Sequence, residues 1–275
     1  DFSNTVGNAA ASLCGIEFGL RGPNVTLSYK EGSALAAVHY AASLVRTGRA
    51  RAVVSGGVDD VEGLFFAVHD QFGVLASDAG DGEASRPFDR RRDGVVVGNG
   101  AFLLVIEQTA AAADRRAAIA GYIEGVGATS SSCALNDWPD DPAHLEVCMR
   151  AALADAGRTT EEVGVVFASA NSTPALDRVE AAALAAMFGP AGVPVVALKG
   201  ALGECGAAGG AAVIAAAISL RRGWIPPTVG FREADPDCPV DVAPVARAIS
   251  TRRGPVALVN SFASGGGNFC VVVGA

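Results

Sequence analysis

The side chains able to do chemistry are few and scattered along this 275-residue sequence. Six cysteines (Cys14, Cys133, Cys148, Cys205, Cys238 and Cys270) include no CxxC pair and no metal-ligand spacing. Three histidines (His39, His69 and His144) form no HExxH pair, and no GxSxG marks a serine nucleophile. Cys205, beside Glu204 in a glycine-rich turn, is the one thiol in a tempting place; its plainer reading is a small buried thiol under a helix. The run Gly265–Gly267 is not a GxGxxG that follows a strand and opens a helix, so it carries no nucleotide signal. The run Arg90–Arg92, with Arg86, forms a basic cluster. Either it docks an acidic partner, or it is spent on ion pairs with Asp89 and Asp93, the reading we favour.

The elements that must carry these residues alternate between short β-branched runs and alanine-rich helical patterns. The spacing predicts strands over 24–28, 52–55, 102–106, 164–168, 195–198, 256–260 and 268–273. It predicts helices over 8–20, 33–47, 142–156, 174–188 and 207–222. Near-continuous apolar strands separated by helices imply an α/β fold with a mostly parallel sheet covered on both faces. The stretches 52–106 and 256–273 both read as strand, glycine-rich turn or insertion, strand, as if each closed one half of a duplicated fold with a seam near 119–125.

Composition bounds the rest. Half the residues are hydrophobic and 18% are charged, which excludes a disordered chain. Glycine (34) and proline (13) follow no fixed period, which excludes collagen. A formal charge of −8 argues against nucleic acid as a partner. The cysteines read as free thiols of a reducing, cytoplasmic compartment, and no signal-peptide pattern opens the sequence. The longest uncharged stretch, 254–275, is interrupted by Asn260, Ser261, Ser264 and Asn268; it reads as strand, turn, strand and not as a membrane span.

Five segments in order resemble the β-ketoacyl synthases of the thiolase-like superfamily. FGLRGPNVTLS (Phe18–Ser28) is similar to the strand leading to that family's nucleophile, and SRPFDRRRDGVVVGNGA (Ser85–Ala101) to SRPFDxxRDGFVxGEGA. STPALDRVE (Ser172–Glu180), GWIPPT (Gly223–Thr228) and NSFASGGGN (Asn260–Asn268) resemble STPxxDxxE, GxIPPT and NSFGFGGTN. The resemblance implies duplicated α/β/α/β/α layers with mixed, mostly parallel sheets, split here into halves at 1–118 and 119–275. It also implies a dimer and Claisen condensation of acyl groups carried on acyl carrier protein, with no cofactor and no metal.

The chemistry is where this sequence departs from that family. The family's cysteine sits at a strand-to-helix elbow, where the helix N-terminus lowers its pKa, and two histidines assist at the thioester carbonyl. Here VSTACxSG reads LSYKEGSA (Leu27–Ala34), placing Glu31 at the cysteine position. HGTSTP reads SANSTP, so Ser169 stands for the first histidine; GHLLGAAG reads GECGAAGG, so Glu204 stands for the second. Lys199 keeps the family's lysine, Asp177 and Glu180 keep its acidic pair, and its gating phenylalanine falls on Ser264. If Glu31 and Glu204 sit close, one must hold a proton or pair with Lys199.

The resemblance therefore points to a catalytically silent ketosynthase-like subunit, most like the chain length factor of a type II polyketide synthase. Such a subunit pairs with an active ketosynthase and shapes the tunnel for the acyl chain, with Ser264, Phe262 and Lys199 as pocket candidates. An enzyme with an acid/base pocket rebuilt from Glu31, Ser169 and Glu204, and an interaction protein without a tunnel, are the alternatives. In the family a βαβ segment of well over a hundred residues precedes the elbow, whereas 30 residues precede Glu31 here. The first half is thus expected to lack its opening strands, where the family's length-determining residues largely lie.

Overall fold

Residue patterns and tertiary contacts agree best where the chain is most alanine-rich. The computed structural model describes residues 6–78, 82–249 and 254–275; Asp1, on which the sequence opens, lies outside them. The first half runs α1 (Ala9–Glu17), α2 (Ser33–Arg46), β1 (Ala52–Asp59), α3 (Gly63–Gln71), β2 (Gly100–Glu107) and α4 (Thr109–Asp114). The second half opens with β3 (Tyr122–Ser130), α5 (Ala143–Ala156), β4 (Val163–Phe167), α6 (Pro174–Phe188), β5 (Pro194–Val196), α7 (Lys199–Leu202) and α8 (Ala208–Arg222). It closes with β6 (Trp224–Ile225), β7 (Asp241–Val242), β8 (Arg247–Ala248), β9 (Val256–Phe262) and β10 (Gly267–Gly274).

The main sheet has the order β3-β10-β9-β4-β5-β7. The β9–β4, β4–β5 and β5–β7 ladders are parallel, and β10 runs antiparallel to both β9 and β3. Side chains of β9 alternate between faces with the period of two that a pleated strand imposes. Val256, Leu258 and Phe262 enter the core under α5 and α6, while Ala257 and Val259 enter the core under α2 and α8. The antiparallel pair β1–β2 lies on the far side of α2 and α8. The layers are therefore helix, sheet, helix, sheet: the mixed α/β arrangement expected, with α2 and α8 buried between two sheets.

Small residues permit that burial. A Cβ at Gly57 of β1 would stand 2.6 Å from the Cα of Ala207 and 2.8 Å from the Cβ of Ala34, so the strand meets the N-terminal ends of both central helices almost backbone to backbone. Asp59 fastens the contact by accepting the Gly206 N–H at 2.7 Å.

Two expectations need correction. The stretch 24–28 forms no strand, because among the described residues no neighbouring strand completes a ladder with it. The pair β1–β2 is antiparallel, so among the described strands the parallel ladders lie in the main sheet, with two isolated parallel bridges, Leu75–Val95 and Val97–Glu204, outside it. The outer side of β1–β2 exposes Val54, Val58, Leu103 and Val105, and α1 and α3 bury none of their residues. No helix of the described residues is long and apolar enough to cross a membrane.

Candidate functional site

The chemistry-bearing residues converge where β4 and β9 end and α2 begins. The chain leaves its extended run through Lys30, held at φ 48°, and passes through one 3-10 turn (Lys30–Gly32) into α2. A non-glycine residue in left-handed backbone is costly and is tolerated where the surroundings enforce it. The Lys30 ammonium donates to Leu135 O at 2.5 Å, Asn136 Oδ1 at 3.0 Å and Ser264 Oγ at 3.2 Å, which uses all three of its N–H groups. Lys30 thus ties three segments together at the mouth of the site.

Glu31 follows, half-buried, at the N-terminal side of α2. Its carboxylate accepts the Ser264 N–H at 3.1 Å and lies 3.2 and 3.3 Å from the Ser264 hydroxyl. Its carbonyl accepts the Ser261 hydroxyl at 2.8 Å. The turn carrying Ser264 is glycine-dependent: Gly266 has φ 94°, and a Cβ there would stand 2.2 Å from Ser131 O. Gly265 N–H donates to Asp137 O at 2.9 Å.

Glu204 and Lys199 form a buried pair, Nζ to Oε2 2.9 Å, with side chains 9% and 6% exposed. Asn171 Nδ2 donates to the same Oε2 at 2.7 Å, while Glu204 Oε1 is buried without a partner. Burial raises the Glu204 pKa; the Lys199 charge opposes that rise and the Glu31 charge adds to it. Burial works to lower the Lys199 pKa, but Glu204 and then Glu31 outweigh it and the ammonium titrates above its ordinary value. The Glu31 charge therefore reaches Glu204, and Lys199 bonds to the latter.

Ser169 sits at the end of β4, buried, with its hydroxyl accepting the Phe262 N–H at 2.9 Å and facing Phe262 O at 3.5 Å. Its own N–H donates to Glu180 at 3.0 Å. Asn260 Nδ2 donates to the same Glu180 oxygen at 2.9 Å, and burial pushes the Glu180 carboxyl up to about 7. Asp177 accepts N–H bonds from Phe88, Asn171 and Ser172 at 2.7–3.2 Å, yet burial still lifts it to about 6. These two acids staple the loop after β4 onto α6. Phe262 gives the site its backbone, whereas its side chain is wholly buried in the core under α5 and α6.

The arginine cluster turns inward. Arg91 pairs with Asp89 at 2.9 Å, Arg92 bonds Asp235 and lies 3.9 Å from Asp177, and Arg86 lies 3.9 Å from Asp93. Burial works to raise Asp89, but Arg91 and the N–H groups of Glu233, Arg232 and Arg91 hold it down at about 2. Arg90, the most exposed, pairs with Glu233 at 3.2 Å. Cys205 is buried, and burial raises its thiol pKa, which removes thiolate character. His39 is held below its ordinary pKa by partial burial, His69 bonds Phe65 O, and His144 is exposed. None of the three histidines takes part in the bonds of the Glu31–Glu204 site.

Lys30 and Asn171 escaped the sequence reading. Both stand inside segments already compared with the family's, Lys30 replacing an alanine and Asn171 a threonine. The signal was a second polar change next to each replaced active-site position.

Comparison with known proteins places this geometry in a family. The model of the β-ketoacyl synthase N-terminal domain matches residues 2–112, and that of the C-terminal domain matches residues 120–232. The chain is 35% identical to nodulation protein E of Rhizobium sp. (strain N33) over 98% of this chain and 65% of that one. It is 36% identical to the tetracenomycin polyketide synthase ketoacyl synthase beta subunit of Streptomyces glaucescens, over 94% of this chain and 63% of that one. Among solved structures, the ishigamide ketosynthase/chain length factor superposes with a TM-score of 0.88 at 31% identity, over 98% of this chain and 65% of that one. The chain spans about 65% of the length of these relatives. With both domain models matched in order, and the thiolase-like layers carrying the elbow of Glu31, the chain belongs to the β-ketoacyl synthase family.

Proposed function

We propose that this chain is a ketosynthase-like subunit that does not itself condense acyl groups. It pairs with an active β-ketoacyl synthase and shapes the tunnel in which the acyl or polyketide chain grows, the role of a chain length factor. One observation carries the reading: the Glu31 carboxylate, at the position of the family's nucleophile, lies on the Ser264 amide and hydroxyl. A carboxylate is a poor nucleophile toward a thioester, and this one fills the backbone donor beside it with its own charge. Decarboxylative condensation also needs donors facing a carbonyl or carboxylate. Ser169 has spent its hydroxyl on Phe262, and Glu204 offers an acceptor.

The names of the relatives support a polyketide setting: a ketoacyl synthase beta subunit and a ketosynthase/chain length factor. An acyl carrier protein delivering the chain is the second partner in this reading. Its acidic surface would not meet Arg91 or Arg92, which are committed to internal carboxylates. We also place the seam between the halves at 118/119, supported by the break between the two domain models at 112 and 120.

Co-expression with an active synthase should give a stable heterodimer whose product length changes when Ser264 is enlarged. Recovery of a well-folded homodimer alone would overturn the proposal. One observation favours the rebuilt acid/base pocket: Glu204 has a raised pKa beside the second carboxylate of Glu31. Glu31→Gln separates the two readings. It is nearly silent for a shaping subunit, and it abolishes turnover of the purified chain if Glu31 is an acid or base.

A further inference from the structure

We infer that Lys30 is a positioning residue that latches this site shut. Its ammonium clamps the loop 131–137 onto the turn 264–266 and, through the Ser264 hydroxyl, ties both to Glu31, which bars an acyl thioester from the Glu31 position. The inference rests on the non-condensing reading of this site and adds to it the side chain that denies entry.

The latch joins three segments that are distant in sequence. The Ser33 hydroxyl fixes the turn that aims Lys30, donating to Lys30 O at 2.7 Å and accepting the Tyr29 N–H at 2.9 Å. The ammonium then donates to Leu135 O and Asn136 Oδ1 in the loop and to Ser264 Oγ in the turn. Loop and turn already touch. A Cβ at Gly265 would stand 2.9 Å from Leu135 O, and the Gly265 N–H donates to Asp137 O at 2.9 Å. The Ser131 N–H donates to Gly266 O at 2.8 Å. Lys30 therefore closes across the line where the two segments meet. The Leu135 side chain is 72% exposed, so burial does not hold that residue, and the ammonium on its carbonyl contributes the restraint instead.

Ser264 makes the latch one unit with Glu31. Its hydroxyl accepts from Lys30 at 3.2 Å and donates to Glu31 Oε1 at 3.2 Å, while its N–H donates to Glu31 Oε2 at 3.1 Å. An ammonium and a carboxylate on consecutive residues thus hold the same serine. Hydrogen bonds with an ionised partner are the stronger class. The three side chains depend on one another. An alanine, the family's residue at position 30, ends at Cβ and carries no donor for loop or turn. A phenylalanine, its residue at position 264, has no hydroxyl for either charge.

A thiol introduced by Glu31→Cys in the full chain reads the latch through its alkylation by iodoacetamide, followed at that position by peptide mass spectrometry. An S–C bond forms, iodide leaves and the buffer takes the thiol proton. Losing a nearby ammonium raises a thiol pKa, so rates are compared on the thiolate plateau of the pH profile, where access alone remains. Adding Lys30→Met should raise that rate at least about tenfold, the low end of what a hydrogen bond to a charged group yields. Adding Lys30→Arg in its place should leave the rate within about threefold of the slow one. Equal plateau rates with and without Lys30→Met would overturn the inference. If Glu31→Cys does not fold, the unaltered chain gives a second measurement, since Lys30 and Lys199 are its two lysines and Lys199 is buried. Acetylation of Lys30 by acetic anhydride should be at least about tenfold slower in the folded chain than in guanidinium chloride, and faster in Glu31→Gln; equal rates folded and unfolded would overturn the inference. A condensation assay of the unaltered chain with malonyl-loaded carrier protein separates the two claims. Product refutes the non-condensing reading, whereas a silent chain whose position 31 is open with Lys30 in place refutes only the inference.

Discussion

Lys199→Met should unbalance the pocket in a way that pH partly repairs. The Lys199–Glu204 pair is 2.9 Å long and more than nine-tenths buried on both sides. Removing one partner of a buried pair costs about 3–5 kcal/mol, chiefly because the other charge is left uncompensated. Glu204 can escape part of that cost by taking a proton. Its pKa is already raised by burial, and without the ammonium it rises further. Each further unit is worth about 1.4 kcal/mol between the two protonation states. A carboxyl whose folded pKa is raised contributes stability at low pH that is lost as pH rises through that pKa. The variant should therefore lose about 2–4 kcal/mol at pH 7.5 and clearly less at pH 5. Glu204→Gln keeps an acceptor for Lys199 and should cost about 1–3 kcal/mol. The double variant has no stranded charge, so its loss should fall short of the sum of the two by about 2–3 kcal/mol. Urea unfolding of all four proteins at both pH values, with constant m, reads these quantities. Additivity to within about 0.5 kcal/mol, or a Lys199→Met loss that does not change with pH, would refute the reasoning.

Glu180 makes a separate claim on pH. Its folded pKa of about 7 stands above an ordinary 4.5, so it stabilises the fold at pH 5 and withdraws that contribution as pH rises through 7, by up to about 3 kcal/mol. Asp177, at about 6, adds a smaller effect of the same sign, and Glu180→Gln should flatten the slope of unfolding free energy between pH 5 and 8. An unchanged slope would remove Glu180 as its source. Lys30→Met should free the Ser264 turn, with the Gly265 amide exchanging about tenfold faster in hydrogen-exchange mass spectrometry and Lys30→Arg restoring much of the protection; identical protection in Lys30→Met would show that the strap holds nothing. Gly57→Ala should cost about 1–3 kcal/mol by overpacking β1 against Ala207 and Ala34, checked by urea midpoint. A neutral substitution would mean that the strand is free to move away.

What the sequence disclosed and what it concealed divide along a physical line. The central helices α2 and α8 and the hairpin β9–β10 were readable because burial on both sides demands small or apolar residues throughout. Strand β3 escaped because it lies at the sheet's edge, where Tyr122, Glu124 and three glycine or serine positions break any apolar run. Residues 24–28 have strand composition and no ladder, since a strand is made by its neighbour and not by its own side chains. The site divides in the same manner. Family spacing located Glu31, Ser169, Lys199 and Glu204, but their partners come from far along the chain; Glu31 bonds a residue 233 positions away. Lys30 and Asn171 show why those partners matter. A glutamate put at the cysteine position or at the second histidine position alone would bring negative charge without donors to meet it. Lys30 fixes the turn that offers Ser264 to Glu31, and Asn171 adds a second donor to the oxygen of Glu204 that Lys199 holds. Each carboxylate therefore stands with a neighbouring residue that accommodates it. The two carboxylates are thus matched by two ammoniums, Lys30 beside Glu31 and Lys199 on Glu204, with one buried oxygen of Glu204 left unmatched.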